Sequence, residues 1–96
     1  MTIIKKIDKN GQITIPKDML RELNFKDGLF VSVYRRQHLI IIEQKVNDAV
    51  SQCVLRNGRV SVPVELRYLL KIDNFTRLEV NVCLSTQKVF IKPLLQ

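Results

Sequence analysis

The sequence predicts a mainly β fold with short helices, built from one unit written twice. The stretch "KIDKNGQITIPKDMLREL", Lys6 to Leu23, sets an Asn-Gly turn, an alternating strand and a proline-started amphipathic segment in a row, and "VLRNGRVSVPVELRYLL" from Val54 repeats the plan. With an offset of forty-seven, Ile7 to Val33 lies over Val54 to Val80 without a gap, and Asn10/Asn57, Gly11/Gly58, Pro16/Pro63, Leu23/Leu70 and Val33/Val80 are identical. Similar pairs carry the rest: Lys9/Arg56, Ile13/Val60, Thr14/Ser61, Ile15/Val62, Asp18/Glu65, Met19/Leu66 and Phe25/Ile72 keep charge or burial where they fall.

Each element has a local reason. "TIIKKID" supplies a first strand, and Asn10-Gly11 and Asn57-Gly58 are the favoured pair for a tight hairpin turn with positive φ at both central residues. After the turn "QITI" and "RVSV" alternate polar and apolar residues, the period of a half-buried strand. Pro16 and Pro63 then mark helix starts, since a fixed φ and a missing N–H suit a first helical turn. In the first helix Met19, Leu20 and Leu23 share a face and Asp18, Arg21 and Glu22 point away; in the second Leu66, Leu69 and Leu70 are expected to pack, with Glu65 and Arg67 exposed. A second hairpin closes each unit, "LFVSVYRRQHLIIIE" and "TRLEVNVCLSTQKVFIKP". The expected layout is residues 1–44 as first repeat, 45–52 as connector and 53–96 as second repeat, together one compact domain.

Ninety-six residues with 46% hydrophobic content suit one small folded domain near the lower edge of a self-sufficient core. The apolar runs are too short to cross a bilayer and "MTIIKKIDKNG" lacks the pattern of a signal peptide, so an intracellular, soluble chain is expected. Cys53 and Cys83 stand in apolar surroundings and read as buried, reduced thiols, and His38 in "YRRQHL" reads as a solvated turn residue. No close pairs of soft ligands suggest zinc, no glycine-rich phosphate loop is present, and no Ser, His and Asp set recurs between the copies. No cofactor, metal or enzymatic activity is expected. The net charge of +7 is shared by both halves and draws polyanions, nucleic acid or an anionic membrane surface among them.

"KKIDKNGQITIPKDMLREL", "DGLFVSVY" and "LIIIE" together resemble the AbrB/MazE/SpoVT swapped-hairpin family of prokaryotic DNA-binding proteins, with "GQITIP" and "GRVSVP" as the specific segments. The resemblance covers nearly all of the first repeat and, more loosely, the second. It implies a swapped-hairpin β-barrel formed by the two tandem repeats, an intrachain pseudo-dimer, with a homodimer of whole chains possible. The strands before each Asn-Gly, Ile3 to Ile7 and Cys53 to Leu55, are expected at its centre. It implies double-stranded DNA as partner and no membrane, a cytoplasmic place associated with the nucleoid when DNA is bound, and a prokaryotic, plasmid or viral origin.

The family's contact positions carry over as Lys5, Lys6, Lys9, Asn10, Gln12 and Arg21 in the first unit and Arg56, Asn57, Arg59 and Arg67 in the second. Gln12 stands where the family commonly has arginine, Leu20 replaces a basic residue four positions after proline, and Tyr68 replaces Arg21 in the second copy. Gln12 and Arg59 are therefore expected to read unlike half-sites. Arg35 and Arg36 are expected to solubilise a turn. The implied function is a sequence-selective transcriptional regulator, most simply a repressor. Two alternatives stay open: an antitoxin of a toxin–antitoxin pair, against which the absence of any acid after Glu79 counts, and a protein-interaction module on the same fold.

Overall fold

Strand, strand, helix, strand, strand occurs twice in the computed structural model of the chain, which describes residues 2–44 and 51–94. The first series is β1 Thr2–Lys5, β2 Gln12–Thr14, α1 Lys17–Leu23, β3 Phe30–Arg36 and β4 Leu39–Glu43. The second is β5 Ser51–Val54, β6 Arg59–Ser61, α2 Val64–Leu69, β7 Leu78–Cys83 and β8 Lys88–Pro93. Of the expected connector, residues 45–50 lie outside the described residues, and Ser51 and Gln52 already belong to β5.

The pairing is crossed. Six strands form an antiparallel sheet in the order β1-β7-β8-β4-β3-β5, and β2 and β6 form a separate two-stranded ribbon. Each hairpin, β3·β4 and β7·β8, is local, but β1 pairs with β7, β5 with β3, β4 with β8 and β2 with β6. The strands expected at the centre, β1 and β5, lie at the two edges of the sheet. Among the described residues each has a strand partner on one side only, and the chain leaves the sheet after Lys5 and after Val54 to enter the ribbon. The centre is β4·β8, where Ile40 faces Ile91 and Ile42 faces Val89.

Period-two alternation aims Val31, Val33, Ile40, Ile42, Leu78, Val80, Val89 and Ile91 into one core, which Ile13 and Val60 of the ribbon strands, Ile15 and Val62 just after them, and Met19, Leu20 and Leu23 of α1 complete. Both helices follow a proline in extended backbone, at Pro16 and Pro63; α1 is capped by left-handed Asn24 at φ 60°, and α2 by Leu70 in ordinary backbone, with left-handed Lys71 at φ 56° one residue later. The next N–H, of Phe25 or Ile72, returns to the carbonyl of Leu20 or Arg67 at 2.8 Å, so the apolar side chain after each turn folds back onto the core.

The helices differ in what they bury. α1 buries Met19, Leu20 and Leu23 as expected, whereas α2 buries nothing fully: Leu66 and Leu70 are partly covered and Leu69 is exposed. The same residue thus has two environments at Leu23 and Leu70. Leu23→Ala is expected to lower the unfolding free energy by about 2–5 kcal/mol. Leu70→Ala should lower it by under about 2 kcal/mol. Urea denaturation of the two variants checks the pair.

Both cysteines are free and only partly buried, a correction to their reading as core thiols. Burial pushes the Cys53 thiol up. At the end of β7, hydrogen bonds from Ser85 and then Thr86 bring Cys83 down to about 7. Iodoacetamide is therefore expected to label Cys83 well before Cys53 at neutral pH, with a rate that climbs as the pH rises through the Cys83 value. Peptide mass spectrometry across a pH series reads this directly. His38 is exposed in the β3–β4 turn, as expected.

Candidate nucleic-acid interface

The β2·β6 ribbon is the site's platform. Gln12 stands opposite Ser61, Ile13 opposite Val60 and Thr14 opposite Arg59. Ile13 and Val60 are buried, so the period of two turns Gln12, Thr14, Arg59 and Ser61 to the other face. The Gln12 amide reaches the Ser61 hydroxyl at 3.5 Å, while the Arg59 guanidinium has no ion pair or hydrogen bond among the described residues. One arginine beside three small or neutral polar groups gives a narrow hydrogen-bonding surface.

The two turns that frame the ribbon are not alike. Arg56 and Arg59 exchange both backbone hydrogen bonds, at 3.2 and 2.8 Å, and Asn57 and Gly58 both have positive φ, the expected two-residue turn. In the first unit Asp8 N–H bonds Gln12 C=O at 2.9 Å and Gly11 N–H bonds Asp8 C=O at 3.0 Å. Only Gly11 has positive φ there. Lys9-Asn10-Gly11 is therefore a three-residue loop, and the expected two-residue turn is corrected. The Asp8 carboxylate explains the difference, since it accepts the N–H groups of Asn10 and Gln12 at 2.8 and 3.0 Å. In the second unit Asp27, from across the ribbon, accepts the Asn57 N–H at 2.7 Å.

The extra residue also shifts the strand before the loop. Ile3 faces Val80, while Ser51 faces Val33, and Ile7 and Leu55 are the buried residues that precede the turns. Upstream of the turn the two units therefore match with an offset of forty-eight, so the ungapped alignment holds only from Lys9 and Arg56 onward.

Each turn belongs spatially to the other unit's helix. Val62 N–H bonds Gly11 C=O at 2.9 Å and Ile15 N–H bonds Gly58 C=O at 2.8 Å. Lys9 and Asn10 are thereby carried to the α2 end, and Arg56 and Asn57 to the α1 end. There an open groove of about 550 Å³ brings Lys17, Arg21 and Lys26 together with Asn57 and Gly58. Lys6, Lys9, Asn10, Arg21, Arg56, Asn57 and Arg59 are all exposed. Lys5 is half-buried where β1 ends opposite Leu78, and Arg21 lies 3.9 Å from Asp18 on the same exposed helix face.

Arg67 is the exception among the expected contacts. Its Nε donates to Val62 C=O at 3.0 Å, and a Cβ on Gly11 would come within 2.7 Å of its guanidinium carbon. Arg67 thus lies across Gly11 as Leu20 lies beside Gly58, where a Cβ would meet the leucine at 3.6 Å. Leucine at the four-after-proline position is a packing residue, buried under the opposite turn. Arg35 and Arg36 end β3 in the second hairpin, and Arg35 bonds the Gln37 carbonyl of its own turn at 3.1 Å.

Thr14, Ser61, Lys17 and Lys26 were missed from the sequence. The alternation that marks Gln12 and Arg59 also marks Thr14 and Ser61; Lys17 opens α1 and Lys26 follows it, both exposed. Among the described residues no helix is long and apolar enough to cross a membrane, and no cluster of three His, Cys, Asp or Glu is placed to hold a metal.

Residues 4–49, just under half of the chain, match the sequence model of the family described as antidote-toxin recognition MazE, bacterial antitoxin. The matched stretch includes β2, α1 and the first hairpin. No curated protein and no solved structure matches the chain.

Proposed function

We propose, from the premise that residues 4–49 place the chain in the AbrB/MazE-type fold family, a non-enzymatic DNA-binding and regulatory one, that it is a sequence-selective regulator of transcription which occludes a promoter. The observation that carries this reading is the outward ribbon face of half-buried Gln12 and exposed Thr14, Arg59 and Ser61, framed by the basic turns. A two-stranded ribbon fits the major groove of B-DNA; arginine there pairs bidentately with guanine and glutamine with adenine. The second half, diverged but crossed with the first at every strand outside its hairpins, acts as the other member of an intrachain pseudo-dimer. Gln12 and Arg59 then meet different half-sites of an imperfect palindrome.

Lys5, Lys6, Lys9, Arg21 and Arg56 supply phosphate contacts, joined by Lys17. Arg67 serves a different purpose: it holds the Lys9-Asn10-Gly11 loop. Arg67→Ala is expected to cost about 1–2 kcal/mol of stability through the lost charged hydrogen bond and packing on Gly11, while leaving the salt slope of DNA binding nearly unchanged. Thermal denaturation and a salt titration of one variant separate the two roles.

The function is tested by affinity for duplexes selected from a randomised pool, beside a scrambled duplex, over a range of salt. Tight, sequence-dependent binding whose logarithm falls by about 0.9 per phosphate neutralised for each unit of log salt supports the reading. Absence of binding at low salt removes it. The family description favours a second reading, an antitoxin that also neutralises a toxin. Rescue of growth when the chain is co-expressed with a toxic neighbouring gene product would support that role.

A further inference from the structure

Three residues on each strand set the reach of the β2·β6 ribbon. Gln12 stands opposite Ser61 and Thr14 opposite Arg59, so Gln12 and Arg59 are diagonal neighbours on either side of the central Ile13–Val60 pair. Diagonal neighbours in an antiparallel pair lie about 7–8 Å apart. Base pairs of B-DNA rise by about 3.4 Å, so the two longest side chains of this face meet a duplex about two base pairs from each other. Side chains that lean along their strands stretch this to about four.

The four positions differ in what they can do. Thr14 and Ser61, on the other diagonal, are too short to hold the ribbon away from the floor of a groove. Arg59 is exposed and its guanidinium has no ion pair or hydrogen bond among the described residues, so its whole donor fork is available. Gln12 is half-buried, and its Nε2 donates to the Ser61 hydroxyl at 3.5 Å, which leaves the second N–H and Oε1 for one adenine edge. No acid lies on the face. Of those in and beside the turns, Asp8 accepts the N–H groups of Asn10 and Gln12, and Asp27 accepts that of Asn57.

We propose that one chain reads a short, ungapped and directional DNA core within a single major groove: a guanine met by Arg59 and an adenine met by Gln12, about two to four base pairs apart. The inference rests on the DNA reading and deepens it, since it fixes the spacing of the two unlike half-sites and the number of chains that read them. The half-sites abut because both readers stand on one ribbon. A separation of one helical turn, about ten base pairs, would need a second chain. Unlike readers at the two ends of the ribbon also give the bound chain one orientation on the duplex.

The test uses the full chain and a duplex selected from a randomised pool, with each guanine and adenine replaced in turn by its 7-deaza analogue, which lacks the N7 acceptor. Competition followed by fluorescence anisotropy should find one guanine and one adenine, about two to four base pairs apart, where the analogue weakens binding roughly threefold or more. Arg59→Ala should erase the penalty at the guanine alone, and Gln12→Ala the penalty at the adenine alone; circular dichroism checks that both variants fold. One base pair inserted between the two bases should cost as much as losing one of the contacts. Sedimentation of the complex should give one chain per duplex. Sequence-selective binding with sensitive bases more than about five base pairs apart, or with two chains per duplex, overturns the inference and leaves the DNA reading standing. So do equal penalties at symmetry-related guanines, or a guanine penalty that persists in Arg59→Ala. Absence of binding at low salt removes the reading itself, and this inference with it.

Discussion

Replacing Arg59 with alanine is expected to weaken binding to a selected duplex by roughly 5- to 150-fold, the 1–3 kcal/mol of one bidentate base contact. The guanidinium is well placed for this because it is exposed, stands opposite Thr14 on the outward ribbon face and is not engaged by any acid among the described residues. Arg59→Lys keeps the charge and loses the planar fork, so it should retain much of the non-specific affinity and lose base preference. Gln12→Ala should relax preference at a different base. Arg36→Ala, in the second hairpin, should change affinity by roughly twofold or less, through the general field alone. Equal losses for Arg59→Ala and Arg36→Ala would reduce the ribbon to one more patch of positive charge. Anisotropy titrations at two salt concentrations, on duplexes permuted base by base, give all of these.

The parts of this site that were legible in the sequence are those set by local backbone chemistry. Asn-Gly, the alternation after it and the following proline each restrict φ and ψ within a few residues, and the Asn57-Gly58 turn, the ribbon strands and the helix starts fall where they were expected. Which copy a strand pairs with is a different matter. Two similar units satisfy the same local rules whether they fold on themselves or across, and only the resemblance to a swapped-hairpin family pointed to crossing. The edge position of β1 and β5 was misread because a strand that contributes to a shared core need not lie inside its sheet.

Side-chain environments that depend on crossing were the least legible. Leu20 looked like a lost DNA contact, yet it is buried beside Gly58 of the other unit; Arg67 looked like a DNA contact, yet it covers Gly11. Leu69 fits the apolar stripe of a short helix and is nevertheless exposed. The loop at Asn10 differs from the turn at Asn57 because of an acid two residues upstream, Asp8, whose carboxylate holds two N–H groups of the loop. A dipeptide signal carries no information about that.

Separating the chain into residues 1–44 and 51–96 is expected to abolish cooperative folding of either piece in the low-micromolar range, and mixing the pieces is expected to restore it. In the first piece β1 loses β7, β2 loses β6, β3 loses β5 and β4 loses β8, which leaves the β3·β4 hairpin as its one remaining strand pair. A lone hairpin is marginal in water, and a chain of about 40 residues rarely buries enough surface to fold without help. The buried residues of the first piece, Ile13, Ile15, Val31, Val33, Ile40 and Ile42, would also lose Val60, Val62, Leu78, Val80, Val89 and Ile91 from the shared core. Self-pairing of the first piece into a homodimer would have to place Leu20 over the three-residue Gly11 loop, a loop that Arg67 covers in the intact chain. Any such dimer should therefore appear only at higher concentration. Thermal melts followed by circular dichroism, with size-exclusion chromatography of each piece and of the mixture, distinguish the cases. A first piece that melts cooperatively as a monomer would mean that the crossed strands are not what holds the fold. Recovery only on mixing would make the crossing the source of stability, and would explain why the second half can lose the first half's surface chemistry while keeping its buried pattern.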